Sequence, residues 1–199
     1  MSPFSPTRYL SRNYSALQGL TAVPLGLALL LACLWANLVH YPVQSVLLPV
    51  VMVSACLLLS FLTDRYYKHT YGQVKPVSLH RRRNLILQVG AGLLGLLAFW
   101  VDVTFRLPVN LIGLLFAAMF LFDKPAVTFP LNRFTAVRLV ASILLILASL
   151  APLEWWRALG VRTTMIGVVM LAGLLMALQG ILWHIFFVRS LPAVEVGDE

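Results

Sequence analysis

The chain reads as an all-α, polytopic integral membrane protein: a six-transmembrane-helix up-down bundle with its N- and C-termini cytoplasmic. Three observations predict this. Of 199 residues, 60% are hydrophobic and only 11% charged, with a mean hydropathy of +0.89; a soluble domain carries roughly 25% charged residues. Six apolar segments can be drawn, most of them about 20 residues long, which is the length that crosses a hydrocarbon core of about 30 Å. The basic residues also fall on one side of those segments, the pattern that orients membrane proteins.

The first segment, about 17–36, follows Arg8 and Arg12. It could be a cleaved signal peptide, and Leu30-Leu31-Ala32-Cys33 faintly matches a lipoprotein cleavage box. The run is too long for that, and the bulky Leu31 stands two before the cysteine, so a retained helix is expected. The second segment is about 43–63 and the third about 85–105. The fourth, about 107–122, is short: 16 residues at 1.5 Å each cover about 24 Å. It crosses by snorkelling Arg106 and Lys124 or by thinning the bilayer, and a re-entrant fourth segment is the alternative. The fifth is about 134–153 and the sixth about 163–188, followed by a polar tail, 189–199. The whole is one membrane domain, 1–199.

Between segments two and three lies a basic cytoplasmic loop, 64–84, with six of the fifteen Lys and Arg residues. With six spans and an inside N-terminus, twelve bases lie inside and only Arg106, Arg157 and Arg162 outside. The net charge of +8 is therefore a membrane-orientation signal, and no nucleic-acid partner is expected. Compact connections place the chain in a bacterial cell inner membrane. Asp64 to about Thr70 should extend the second helix, Gly72 and Pro76 should break it, and Arg81, Arg82 and Arg83 should anchor the third. Arg65, Tyr66, Tyr67, Lys68 and the three consecutive arginines are the candidate surface for anionic headgroups or a protein partner. The plainer reading is an orientation determinant lying on lipid.

Several motifs point to packing. Gly90-Ala-Gly92-Leu-Leu-Gly95 matches the dinucleotide fingerprint, whose chemistry needs a preceding strand and an aqueous crevice. Within an apolar run, Ala91 and Gly95 read instead as a small-xxx-small pair for close helix approach. Ala28, Ala32 and Ala36 on helix one, and Gly173 with Ala177 on helix six, offer similar faces. Pro24 and Pro49 fall inside helices and should kink them. Asp64-Arg65-Tyr66 matches the tripeptide of rhodopsin-like receptors, but on the wrong helix of a six-span chain. Cys33 and Cys56 differ in depth by about 15 Å, too far for a disulfide.

Ionisable groups within the spans are better functional pointers, because lipid penalises them. Asp102 and Arg106 stand at i, i+4 and should pair. Arg138 should snorkel towards phosphates, or pair with Asp123 or Asp64 inside the bundle. Gln88, Gln179 and His184, with Asn110, are candidate interhelical hydrogen-bond partners, and Arg138 with the first three could line a solute path. Trp155 and Trp156 fit an outer aromatic belt; Trp183, Phe186 and Phe187 fit an inner one. The four histidines lack ligand spacing, so neither a metal nor a cofactor is implied. In outline the chain is similar to substrate-binding subunits of energy-coupled vitamin importers: six spans, basic, small residues on helix one. That resemblance of shape implies solute binding. The leading expectation is a non-catalytic accessory or partner subunit using the basic cytoplasmic loop. The alternative is a small-solute binder or transporter, and third an integral membrane lipid-modifying enzyme.

Overall fold

The computed structural model describes residues 19–39, 47–70, 78–105, 107–122 and 133–190. Among them the chain is helical throughout, without strands. A 3-10 turn, Gly19–Thr21, leads into α1 (Ala22–Leu38), followed by α2 (Leu47–Thr70), α3 (Ser78–Phe105), α4 (Leu111–Phe122), α5 (Arg133–Leu150), α6 (Leu153–Ala158) and α7 (Thr164–Ser190). Two helical stretches, Gly19–Leu38 and Thr164–Phe186, are long and apolar enough to cross a membrane; Val89–Phe105, Leu111–Leu121 and Ala136–Leu150 are shorter apolar runs.

Pro24 and Pro49 turn out to be third residues of α1 and α2 rather than interior kinks. In a first turn the missing N–H has no intrahelical acceptor in any case, so nothing is lost. The stretch 64–84 is also less of a loop than expected. Its first seven residues close α2 as anticipated, and Ser78–Asn84 already belong to α3.

The central helix is α7. On one side it packs against α1, with α2 outside; on the other it meets α5 and α4, with α3 resting on α4. The α1–α7 contact runs antiparallel, one residue for one. Gly19 meets Gly180, Gly26 meets Gly173, and Asn37 bonds to Gly160. A Cβ added at Gly26 would stand 2.6 Å from the Gly173 carbonyl oxygen, and one at Gly173 would stand 2.6 Å from the Gly26 oxygen. The two backbones therefore touch, a geometry open only to residues without side chains. Gly173 and Ala177 pack as expected, but their partner is Gly26. Ala28 is buried, whereas Ala36 is exposed.

At the far end of this pair Asn37 ties the α6–α7 connection to α1. Its Nδ2 donates to Gly160 O at 2.9 Å, and its Oδ1 accepts the Arg162 N–H at 2.9 Å. Gly160 takes φ +76°, a turn that residues with a Cβ rarely adopt. The Arg162 guanidinium donates to the carbonyls of Val39 (3.2 Å) and Leu38 (3.4 Å), a cation at the negative end of α1.

The short α4 starts inside this apolar frame because every donor of its first turn is answered. Asn110 N–H donates to Ser149 O at 3.0 Å; Leu111 and Ile112 N–H donate to the two Asp102 carboxylate oxygens, each at 2.9 Å; Gly113 N–H donates to Asn110 Oδ1 at 3.1 Å. These are the four amides a helix N-terminus leaves without partners. Asp102 thus caps α4 from the neighbouring helix; its expected partner Arg106 lies outside the described residues. The helix begins at Leu111, four residues later than expected, and its 12 residues span about 18 Å.

The apolar core lies where α4, α5 and α7 converge: Ala117, Phe120, Ala141, Leu145, Val168 and Ala172. Gly113 admits Ser149 and Val168 so closely that a Cβ would overlap both. Ser142 Oγ donates to Ala117 O at 3.0 Å across the α4–α5 contact. Trp156 lies flat on Gly167, so of the expected outer belt only Trp155 is freely exposed. Cys33 and Cys56 are both free, as expected.

Candidate functional site

Polar side chains gather on both sides of α7 near the Gly19 end of α1, where α2 meets one side and α5 the other. Tyr67, on the polar extension of α2, is fully buried, 0% exposed. Its hydroxyl lies 2.7 Å from His184 Nδ1 and accepts the Leu20 N–H at 3.4 Å. The two rings meet edge to face, 5.8 Å between centroids. One residue pair thus joins α2 to α7 and receives a backbone donor of the 3-10 turn. Two turns back along the same side of α2, Ser60 Oγ donates to Thr21 O at 3.4 Å. The expectation that Tyr67 lines the headgroup layer is therefore corrected: helical rotation from Ser60 turns it inward.

On the other side of α7, Arg138 is 3% exposed and its guanidinium stands over the Trp183 ring, 4.8 Å from the centroid. Gln179 Oε1, oriented by the donors around it, accepts from Arg138 Nε at 3.2 Å and from Trp183 Nε1 at 3.0 Å. Gln179 and Trp183 are one turn apart on α7, so a single face of that helix supplies both an acceptor and a π surface for the cation. Of the two directions expected for Arg138 it takes the second, into the bundle; its expected partner Asp123 lies outside the described residues. Trp183 covers the cation instead of facing outward in an aromatic belt. Gln179 and His184 are interhelical hydrogen-bond partners, as the sequence suggested.

Of the remaining candidates, Arg65 and Tyr66 are exposed at the end of α2, Tyr66 at 48%. The side chains of Lys68, Arg81, Arg82, Arg83 and Gln88 lie outside the described residues, as does all of Asp123. Of the four proposed path residues, three, Arg138, Gln179 and His184, are therefore brought to one end of α7. They take part in the contacts Arg138–Gln179–Trp183 and Tyr67–His184, which reach α7 from α5 and α2 respectively. Among the described residues no three His, Cys, Asp or Glu side chains converge as a metal would require. On α3, nothing among the described residues lies within 4 Å of where a Cβ would stand at Gly90 or Gly92, while a Cβ added at Gly95 would stand 3.7 Å from the Leu115 side chain.

Sequence reading missed the roles of Ser60, Ser142, Ser149 and Trp183. The signal for Trp183 was present: an indole four residues after Gln179 has an amide acceptor within reach on its own helix. The serines carry no such signal, since a serine in an apolar helix can always bond its own backbone. Ser149 does so, donating to Leu145 O at 2.6 Å. No protein-family model, curated protein or solved structure matches the chain.

Proposed function

We propose that the chain is a six-span protein of a bacterial inner membrane, both termini cytoplasmic, that serves as a non-catalytic accessory or partner subunit through its basic cytoplasmic face. The six spans are supported by helix direction. Where bonds or close contacts join neighbouring helices they fit antiparallel pairs: Thr21 bonds Ser60 (α1–α2), Asp102 bonds Leu111 (α3–α4), Asn110 bonds Ser149 (α4–α5), and Gly26 meets Gly173 (α1–α7). Asn110 stands level with the far end of α5, so α4 starts at the same depth as its longer neighbour. The orientation follows from the twelve-to-three division of bases.

The observation that carries the partner reading is the burial of Tyr67 against His184. It holds the last turns of α2 as ordered helix and leaves Arg65 and Tyr66 facing outward in a fixed arrangement. A pre-ordered basic surface loses less conformational entropy on docking than a free loop. The test is Arg81→Gln, Arg82→Gln and Arg83→Gln together, in the full chain, with insertion topology monitored. Loss of co-purifying protein supports the reading; unchanged co-purification with correct topology removes it.

A second reading, solute binding, draws on the burial of Arg138 with Gln179 in the bundle. Uptake lost in Arg138→Ala, with the protein inserted, favours it over docking. Wild-type uptake in that variant ends it.

A further inference from the structure

The outward face of α2 changes its chemistry within one turn. Its inward side is set by contacts, Ser60 on Thr21 and Tyr67 on His184, and Cys56 is buried on the same side. The opposite side presents Val51, Leu58, Phe61 and Leu62, all exposed, and then Arg65, Tyr66 and His69, exposed as well. Leu58, Leu62, Arg65 and His69 recur every three or four residues, so they form one stripe. Arg65 follows Phe61 by four residues, about 6 Å along the axis. Arg65 makes no hydrogen bond or ion pair among the described residues, in contrast to Arg138 and Arg162, which are both bonded into the bundle.

An apolar stripe that ends in an uncommitted cation has the same order of chemistry as an acyl chain ending in a phosphate. A protein partner approaching from the cytoplasm would meet Arg65 but not the apolar residues below it. We propose that this face of α2 is a binding site for an anionic phospholipid of the cytoplasmic leaflet. Its acyl chain lies along Leu58, Phe61 and Leu62, and its phosphate sits at Arg65, beside Tyr66. The Tyr67–His184 bond fixes the rotation of α2 and so aims the stripe at lipid. The inference rests on the membrane reading above, and does not depend on whether a protein partner docks.

The test uses the full chain in nanodiscs of equal parts phosphatidylglycerol and phosphatidylcholine, with the lipids retained on release counted by native mass spectrometry. Wild type should retain phosphatidylglycerol preferentially. Arg65→Gln should reduce that preference about fivefold, the effect of one cation near an anionic surface. Arg65→Lys should keep most of the preference, and Arg157→Gln, at the opposite end of the bundle, should keep all of it. Equal retention of the two lipids by wild type, or an undiminished preference in Arg65→Gln, overturns the site. Protein that does not enter the disc at all overturns the membrane reading and the site with it, and is seen before any lipid is counted.

Discussion

Tyr67 and His184, 117 positions apart in sequence, meet at 2.7 Å and join the ends of α2 and α7. The Leu20 N–H donates to the same hydroxyl, so one phenol oxygen serves both a ring nitrogen and a backbone amide. Tyr67→Phe keeps the ring and removes the bond. Thermal unfolding in detergent should show a loss of roughly 1–3 kcal/mol, since two groups lose their partner. A double-mutant cycle with His184→Phe should give a coupling of about 0.5–1.5 kcal/mol, in the range for polar pairs in membranes. Additive effects would mean that the two side chains do not act on one another.

Gly26 and Gly90 are both glycines of apolar helices, and they should respond in opposite ways to the same change. Gly26→Leu must push α1 off α7, because even a Cβ there stands 2.6 Å from a carbonyl oxygen. Overpacking of this kind costs about 1–3 kcal/mol or more. Gly90→Leu meets open space and should stay within about 0.5 kcal/mol of wild type or gain from helix propensity. Melting temperatures of the two variants, compared in one detergent, decide the matter; equal destabilisation would contradict the packing described.

Asp102 holds the first two amides of α4. Asp102→Ala leaves both without acceptors in apolar surroundings and should cost about 2–4 kcal/mol, being two groups at roughly 1–3 kcal/mol each with partial relaxation. Asp102→Asn retains one acceptor oxygen and should lose about half as much. Hydrogen exchange at Leu111 and Ile112 reads this directly: protection should fall in the order wild type, Asn, Ala.

Arg138 is a buried cation whose Nε is held by Gln179. Removing one member of such a set costs more than replacing both with apolar residues of similar size. Gln179→Leu alone should therefore be less stable than Arg138→Met combined with Gln179→Leu. If the double variant unfolds first, Arg138 is stabilised chiefly by the Trp183 ring and its other neighbours.

The helical architecture was legible because apolar run lengths and basic residues depend on composition alone. Rotation about each helix axis was not. Tyr66 and Tyr67 are indistinguishable in composition, and only the inward position of Ser60 tells which one is buried. Arg138 stands one turn into α5, a depth from which a long side chain reaches either lipid phosphate or the bundle interior. It takes the second course, and Gln179 and Trp183, 41 and 45 positions later, receive it there. The alanines of α1 drew attention through their regular spacing, yet the contact uses Gly19 and Gly26, spaced by two turns. Caps were the least legible of all: the acceptor for Leu111 lies on another helix, across the residues that break the chain's direction.

The pairing of α1 with α7 also carries a consequence for the order of assembly. Residues 39–177 must be synthesised before the surface that fits Gly26, Gly173 with Ala177, exists. At typical translation rates that interval is on the order of 7–28 s. On the membrane reading proposed above, a helix whose backbone is bare at Gly26 waits throughout that interval for its neighbour. Whatever insertion machinery handles the nascent chain must keep that groove from closing on a wrong helix, so biogenesis rather than the finished fold is where substitutions at Gly26 and Gly173 would first be felt.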